Sequence, residues 1–125
     1  MKQILFSASV YNITGGFLII FLLDRIGPFV DFANPGSMLF RLFVGGTAIT
    51  FGIGYLNLGR GQERGGGFLY YGAGLKYWAF IISTYCFLFS DLSIQMLLAF
   101  GLPNLVFAVL FTRILVMAGA GRRGD

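Results

Sequence analysis

Four long apolar stretches constrain this sequence more than any other feature. They cover residues 4–23, 38–58, 68–90 and 92–117, and a membrane-spanning helix needs about 20 mostly apolar residues. Because a bilayer holds no water to satisfy backbone groups, such stretches cross it as α-helices. The sequence therefore predicts an all-α membrane protein. We expect residues 1–125 to form one domain, an antiparallel bundle of four transmembrane helices.

The composition agrees with a lipid environment. Hydrophobic residues make up 57% of the chain and charged residues 11%, whereas a soluble domain typically carries about 25% charged residues. So little polar surface cannot cover a globule of 125 residues, and the surrounding solvent must be lipid. Membrane lipid is therefore an expected partner, and nucleic acid is not.

The distribution of lysine and arginine predicts the orientation of the helices. Five basic residues flank one side of the four stretches, and these are Lys2, Arg60, Arg64, Arg122 and Arg123. The opposite side carries Arg25. Because cytoplasmic loops carry an excess of positive charge, we expect both termini to lie in the cytoplasm.

The three connections differ in composition. Residues 24–36 hold two prolines among apolar residues, which predicts an ordered segment at the outer interface. Residues 59–67 consist mostly of glycine and charged residues and predict a flexible loop. Residues 90–92 allow only a tight turn, with Asp91 as the N-cap of the fourth helix. The third and fourth helices are therefore expected to be antiparallel neighbours.

Small residues mark the predicted helix contacts, because lipid gives little hydrophobic drive between helices and small side chains allow close packing. The predicted packing positions are Gly16, Gly46, Gly52, Gly54, Gly72 and Ala108. Pro103 lies inside the fourth helix, where it removes the hydrogen bond to the carbonyl of Ala99 and predicts a kink. Such a kink either opens a cavity or is a silent structural bend.

Lys76 is the sharpest polar feature, since it lies about 12 Å from the inner end of the third helix, where a cation is costly. Asn12 and Thr50 fall at about the same depth, and Asn104 lies further out. We predict these four residues as a ligand-binding cluster. The spans hold no carboxylate at that depth. The amine has three alternatives: it extends to the inner headgroups, it is satisfied within the protein, or it binds an anionic ligand or lipid headgroup.

The residues of catalytic chemistry are missing from the sequence. Histidine is absent and Cys86 is the single cysteine, which excludes an intrachain disulfide and a Cys/His metal site within this chain. The sequence shows no nucleophile–base pair and no phosphate-binding glycine motif. We therefore expect no catalytic residue, no metal and no cofactor, and an enzyme is not favoured.

Several short motifs resemble a group of small four-helix bacterial membrane proteins, loosely DoxX-like. They are Tyr11-Asn12, Gly15-Gly16, Leu39-Phe40-Arg41, residues 52–56, Gly74-Leu75-Lys76, Asn104 and Phe107-Ala108. The resemblance implies the four-helix architecture and a location in the bacterial inner membrane. The fourth helix of such proteins usually carries an Asn-Asp pair followed by an aromatic residue. Here Pro103-Asn104-Leu105 stands instead, so the acid that would pair with Lys76 is missing.

Two functions remain open from the sequence. The first is a non-enzymatic accessory or structural subunit that docks onto a larger membrane assembly or onto itself. The glycine-rich helix faces and the missing catalytic chemistry favour it. The alternative is a binder or transporter of a small molecule or an anionic lipid, with the polar cluster placed around the Pro103 kink. An enzyme that borrows a cofactor from a partner is a third reading.

Overall fold

The computed structural model describes residues 1–30, 38–61 and 66–123, and this part of the chain is helical, without a strand. Four helices follow one another: α1 is Lys2–Val30, α2 is Met38–Gly59, α3 is Gly66–Phe89 and α4 covers residues 94–123. The predicted helices are all present. The largest differences are at the ends of α1 and α4, which continue past the predicted residues 23 and 117.

Three of the helices are long and apolar enough to cross a membrane, namely α1, α2 from Leu39, and α4 as far as Gly119. Their exposed surface is also apolar; Phe21 is 68% exposed and Phe43 is 71% exposed. Such a surface is stable in lipid and costly in water. The chain is therefore a membrane protein. Helix α3 has 24 residues, but it contains Lys76 and several tyrosines, which lower its mean hydropathy.

The helices form two compact units, Lys2–Glu63 with α1 and α2, and Arg64–Asp125 with α3 and α4. Each unit is a helix pair. The predicted interfacial segment at residues 24–36 and the predicted loop at residues 59–67 lie partly outside the described residues.

Glycine allows the close approach of α1 and α2. A Cβ atom added to Gly16 would lie 2.6 Å from the carbonyl oxygen of Gly45, and one added to Gly52 would lie 2.6 Å from Cγ1 of Ile13. Further along α2, Gly59 lies against Leu5. The partners run in opposite directions along the two helices, so the pair is antiparallel.

The predicted packing positions fall in different places. Gly16 and Gly52 lie at this contact, but an atom added to Gly46 would meet nothing within 4 Å. The close contact is made by Gly45, one residue earlier. Gly45, Gly52 and Gly59 repeat every seven residues, a spacing that keeps one helix face turned to its neighbour. Gly54 is half-buried, whereas Gly72 and Ala108, in the second unit, are buried.

An ion pair closes one end of the first unit. Nη1 of Arg41 lies 3.2 Å from both carboxylate oxygens of Asp24. Arg41 is buried and Asp24 is 70% exposed, so the guanidinium lies against the protein while the carboxylate faces outward.

The start of α4 differs from the prediction. The N-cap is Ser93, whose hydroxyl oxygen accepts a hydrogen bond of 3.1 Å from the backbone N–H of Met96. Asp91 is exposed and lies before the first helical residue, Ile94. An N-cap must directly precede the first turn to reach its free N–H groups, so Asp91 is two residues too early.

Replacing Gly16 with alanine should destabilise the first unit, because the added methyl would meet the Gly45 carbonyl, a backbone atom that cannot turn away. We expect a loss of about 1–3 kcal/mol in the free energy of unfolding, measured by titrating the micelle-bound protein with a denaturing detergent. Gly15→Ala is the matched control, since that methyl would meet nothing within 4 Å. Equal losses for both variants would contradict glycine packing at Gly16.

Candidate functional site

The candidate site lies in the second unit, where α3 and α4 pack together. Helix α3 buries one face, which holds Leu69, Gly72, Ala73, Lys76, Ala79 and Ser83. The buried residues of α4 are Gly101, Asn104, Ala108 and Phe111. A Cβ atom added to Gly101 would lie 3.0 Å from Cβ of Ser83. The two helices therefore touch closely beside Gly101, and a buried lysine and asparagine lie on the facing stripes.

A π-helical turn precedes the proline in α4. It covers Leu97–Gly101, and the regular α-helix resumes at Leu102. Proline has no N–H, and its ring would clash with the carbonyl four residues earlier in a regular helix. A π turn widens the helix locally and relieves that clash. The irregularity predicted at Pro103 thus takes the form of a π turn before it.

Asn104 connects this turn to α3. Its Nδ2 donates a hydrogen bond of 2.7 Å to the carbonyl oxygen of Phe100, and its Oδ1 accepts one of 3.1 Å from Nζ of Lys76. The opposite amide orientation would place an NH₂ group against an amine and an oxygen against a carbonyl. The two bonds therefore fix which side of the amide faces Lys76.

The amine of Lys76 is enclosed by groups from α4. The residue is 2% exposed, and Nζ lies 5.2 Å from the ring centroid of Phe107 and 6.0 Å from that of Phe111. An ammonium is attracted to the face of an aromatic ring at such distances. Within residues 66–123, Asp91 in the turn is the single acidic residue. The amine points to Asn104 instead of extending toward the headgroups, which excludes the first of its three alternatives.

Tyr77 and Thr112 form a second polar contact between α3 and α4. The Thr112 hydroxyl donates to the carbonyl of Ala108 at 2.8 Å. Since that hydroxyl has one hydrogen, the Tyr77 hydroxyl is the donor in the 3.0 Å bond to Oγ1 of Thr112. This tyrosine was missed in the sequence. Two features of the sequence could have indicated it: Tyr77 directly follows Lys76, and Thr112 lies one helical turn after Ala108.

The four predicted site residues are divided between the two units. Lys76 and Asn104 bond directly within the second unit. Asn12 and Thr50 belong to the first unit, where Asn12 is buried. Thr50 is exposed, and its hydroxyl donates to the carbonyl of Gly46 in its own helix at 2.8 Å. The structure thus brings Lys76 and Asn104 together, beside Phe107, Phe111 and the π turn.

The chemistry of this site is that of a hydrogen-bond network. Its polar groups are an amine, an amide, a phenol and a hydroxyl, and each bonds to another group of the protein. Among the described residues no group of three or more His, Cys, Asp or Glu side chains comes together to hold a metal.

Comparisons with protein-family models, with curated proteins and with solved structures find no match.

Lys76→Met and Asn104→Leu should each destabilise the second unit. The double variant should lose less stability than the sum of the two single losses. Each single change leaves a buried polar group without its partner, whereas the double variant removes both. We expect a coupling free energy of about 0.5–2 kcal/mol, the range of interhelical hydrogen bonds in membranes. The measurement is a double-mutant cycle of detergent unfolding. Additive effects would contradict a direct Lys76–Asn104 interaction.

Proposed function

We propose that this chain is a non-enzymatic accessory subunit of a larger membrane assembly, and that another membrane helix docks on α2. The observation that carries the proposal is a groove of about 340 Å³ on that helix. Its lining residues are Leu42, Phe43, Gly46, Thr47, Thr50 and Phe51. They follow the helical repeat and form one face of α2, apart from the Gly45–Gly52–Gly59 face that contacts α1.

The groove is suited to the backbone of a helix. Gly46 has no atom within 4 Å of an added Cβ, so a neighbour can come close there. The hydroxyls of Thr47 and Thr50 donate to carbonyls of their own helix, at 2.7 and 2.8 Å. They thus present methyl groups to the groove. Membrane helices associate where small residues lie between large apolar ones. Here Phe43 precedes and Phe51 follows the small residues along α2.

The membrane topology is part of the proposal. We propose four spans in a bacterial inner membrane, with both termini in the cytoplasm. The flanking basic residues support this orientation. Helix α3 is the fourth span. Its 24 residues reach about 36 Å, more than the hydrocarbon core of about 30 Å. The bonding of Lys76 to Asn104 removes its amine from lipid. A distant kinship to DoxX-like proteins, supported by the short motifs, belongs to the same proposal.

Single cysteines introduced at the helix ends should report this topology. With Cys86 replaced by serine, a cysteine at Asp91 should react with a membrane-impermeant maleimide in intact cells. Cysteines at Arg60 and at Gly121 should react only after the membrane is opened. Labelling of all three from outside would exclude a cytoplasmic location for the α2–α3 connection and for the C-terminus. Equal labelling at Asp91 and Arg60 would show that α3 does not cross the membrane.

Gly46→Leu should release the protein from its assembly without unfolding it, because the new side chain enters the groove and its Cβ atom meets nothing within 4 Å. Native membranes would be solubilised mildly, and the chain located on a native gel with mass spectrometry of its band. We expect the wild type in a defined large band and the variant in a small one. Gly74→Leu is the matched control, since its surroundings on α3 are equally open.

The other outcomes of this gel decide against the proposal. Migration of the wild type as a small homo-oligomer that Gly46→Leu dissociates would make the groove a contact between copies. Migration alone, or a Gly46→Leu variant that stays assembled, would remove the docking helix.

A binder of small molecules or anionic lipids is the second candidate, and the buried amine of Lys76 favours it, because intramembrane charges often mark functional sites. The amine lies against the amide of Asn104 and the rings of Phe107 and Phe111. A co-purified lipid or metabolite that is lost in Lys76→Met would support this reading. An accessory subunit keeps its assembly in the same variant.

A further inference from the structure

We propose that Arg41 and Asp24 bind the headgroup of a phospholipid that carries both a phosphate and a primary amine. The site lies at the end of the first unit that this ion pair closes, and it depends neither on the helix proposed to dock on α2 nor on Lys76. Three observations carry it: the position of the pair along the helices, the nitrogens of Arg41 that the pair leaves over, and the exposure of Asp24.

The position of the ion pair places it near the lipid headgroups. Arg41 is the third residue of the apolar span Leu39–Gly59, so it lies about 3 Å from the start of that span. Asp24 lies on α1 about 33 Å from Lys2 along the helix axis, slightly more than the hydrocarbon core of about 30 Å. The chemical groups next to this end of the unit are therefore the phosphates and amines of one leaflet.

The ion pair uses one nitrogen of Arg41. Both hydrogen bonds that Arg41 makes with the described residues come from Nη1, at 3.2 Å. Charge-assisted bonds of arginine to a carboxylate are usually about 2.7–2.9 Å long and often come from two nitrogens at once. The carboxylate of Asp24 thus takes a single corner of the guanidinium.

The opposite edge of the guanidinium, formed by Nε and Nη2, lacks an acceptor among the described residues. Nε is buried there without a hydrogen-bond partner, in a side chain that is 8% exposed. Nη2 makes no bond to these residues either and is not enclosed in the same way. A buried donor of a charged group is costly when it lacks an acceptor. The planar edge matches two oxygens of a phosphate, which can approach it from the headgroup layer at Nη2.

The exposed carboxylate of Asp24 decides which headgroup fits. It is 70% exposed beside the guanidinium, so a purely anionic headgroup would bring a second negative charge close to it. A zwitterionic headgroup places its phosphate on Arg41 and its ammonium on Asp24, so that each charge meets its opposite. A primary ammonium also has three N–H donors for the carboxylate, as lysine does, whereas the quaternary ammonium of choline has none. This chemistry selects phosphatidylethanolamine over phosphatidylcholine and phosphatidylglycerol.

Native mass spectrometry of the full chain released from lipid nanodiscs tests the site. The discs hold equal amounts of these three lipids, with acyl chains that give each a distinct mass. We expect the wild type to retain phosphatidylethanolamine preferentially, and Arg41→Gln to reduce this retention about tenfold, the effect of losing a hydrogen bond to a charged group. Asp24→Asn keeps an acceptor for Arg41 but lacks the charge, so it should shift the preference toward phosphatidylglycerol.

Arg25→Gln is the matched control, because Arg25 is an exposed arginine directly after Asp24. A general attraction of basic residues to headgroups would include it, whereas the proposed site does not, so retention should stay at the wild-type level. Arg41→Lys covers the case in which Arg41→Gln does not fold. It keeps a cation for Asp24 but lacks the planar edge, so it should also lose the lipid. Wild-type retention in Arg41→Lys, or an equal loss in Arg25→Gln, would overturn the site.

Inorganic phosphate distinguishes a headgroup from an anion in solution. Added in excess to the wild type, it should leave the bound phosphatidylethanolamine in place, because it has no ammonium for Asp24. Displacement of the lipid by phosphate would assign the edge of Arg41 to a dissolved oxyanion and contradict a headgroup site. Equal retention of the three lipids by the wild type would contradict it as well.

Discussion

The lack of water inside a bilayer is the constraint on which this structure depends. Polar groups of a span are stabilised by bonding within the protein, because an unsatisfied group in hydrocarbon costs several kcal/mol. The hydroxyls of Thr47, Thr50, Ser83 and Thr112 accordingly donate to the carbonyl four residues earlier. The amine of Lys76 and the amide of Asn104 satisfy each other.

The two helix pairs meet this constraint in different ways. The first pair contacts closely through glycine, which brings the backbones together, and an ion pair of Arg41 and Asp24 closes its end. The second pair contacts through polar side chains near the middle of the helices. Glycine contacts fix how close two helices come, whereas a directional bond such as Lys76–Asn104 fixes which residues stand opposite each other.

The sequence contained enough information for the helices and for part of the site. Apolar length alone gave the four helices, because the bilayer sets that length. Depth along the helix gave Lys76, but depth does not determine which way a residue faces. Thr50 was assigned the same depth as Lys76, yet it is exposed on its own helix face. Likewise Gly46 and Gly45 differ by one residue, about 100° around the helix, and only the packed pair shows which one meets α1.

Local backbone chemistry explains the remaining differences. Pro103 predicted an irregularity, but a proline alone does not specify a π turn, and α1 has one at Leu18–Leu22 without a proline. The N-cap of α4 depends on where the first turn begins, and a two-residue shift moved it from Asp91 to Ser93. Both features follow from hydrogen bonds that form only after the helix ends and the neighbouring helix are in place.

The energetics of Lys76 link the stability of α3 to α4. A lysine at the centre of a membrane helix costs about 2.5–3.5 kcal/mol on insertion. An interhelical hydrogen bond returns about 0.6–1.7 kcal/mol, and a desolvated contact with an aromatic face adds about 2 kcal/mol. Asn104, Phe107 and Phe111 supply both. The gain roughly offsets the cost only when α4 is beside α3. The two helices, joined by a short turn, are therefore more stable together than apart.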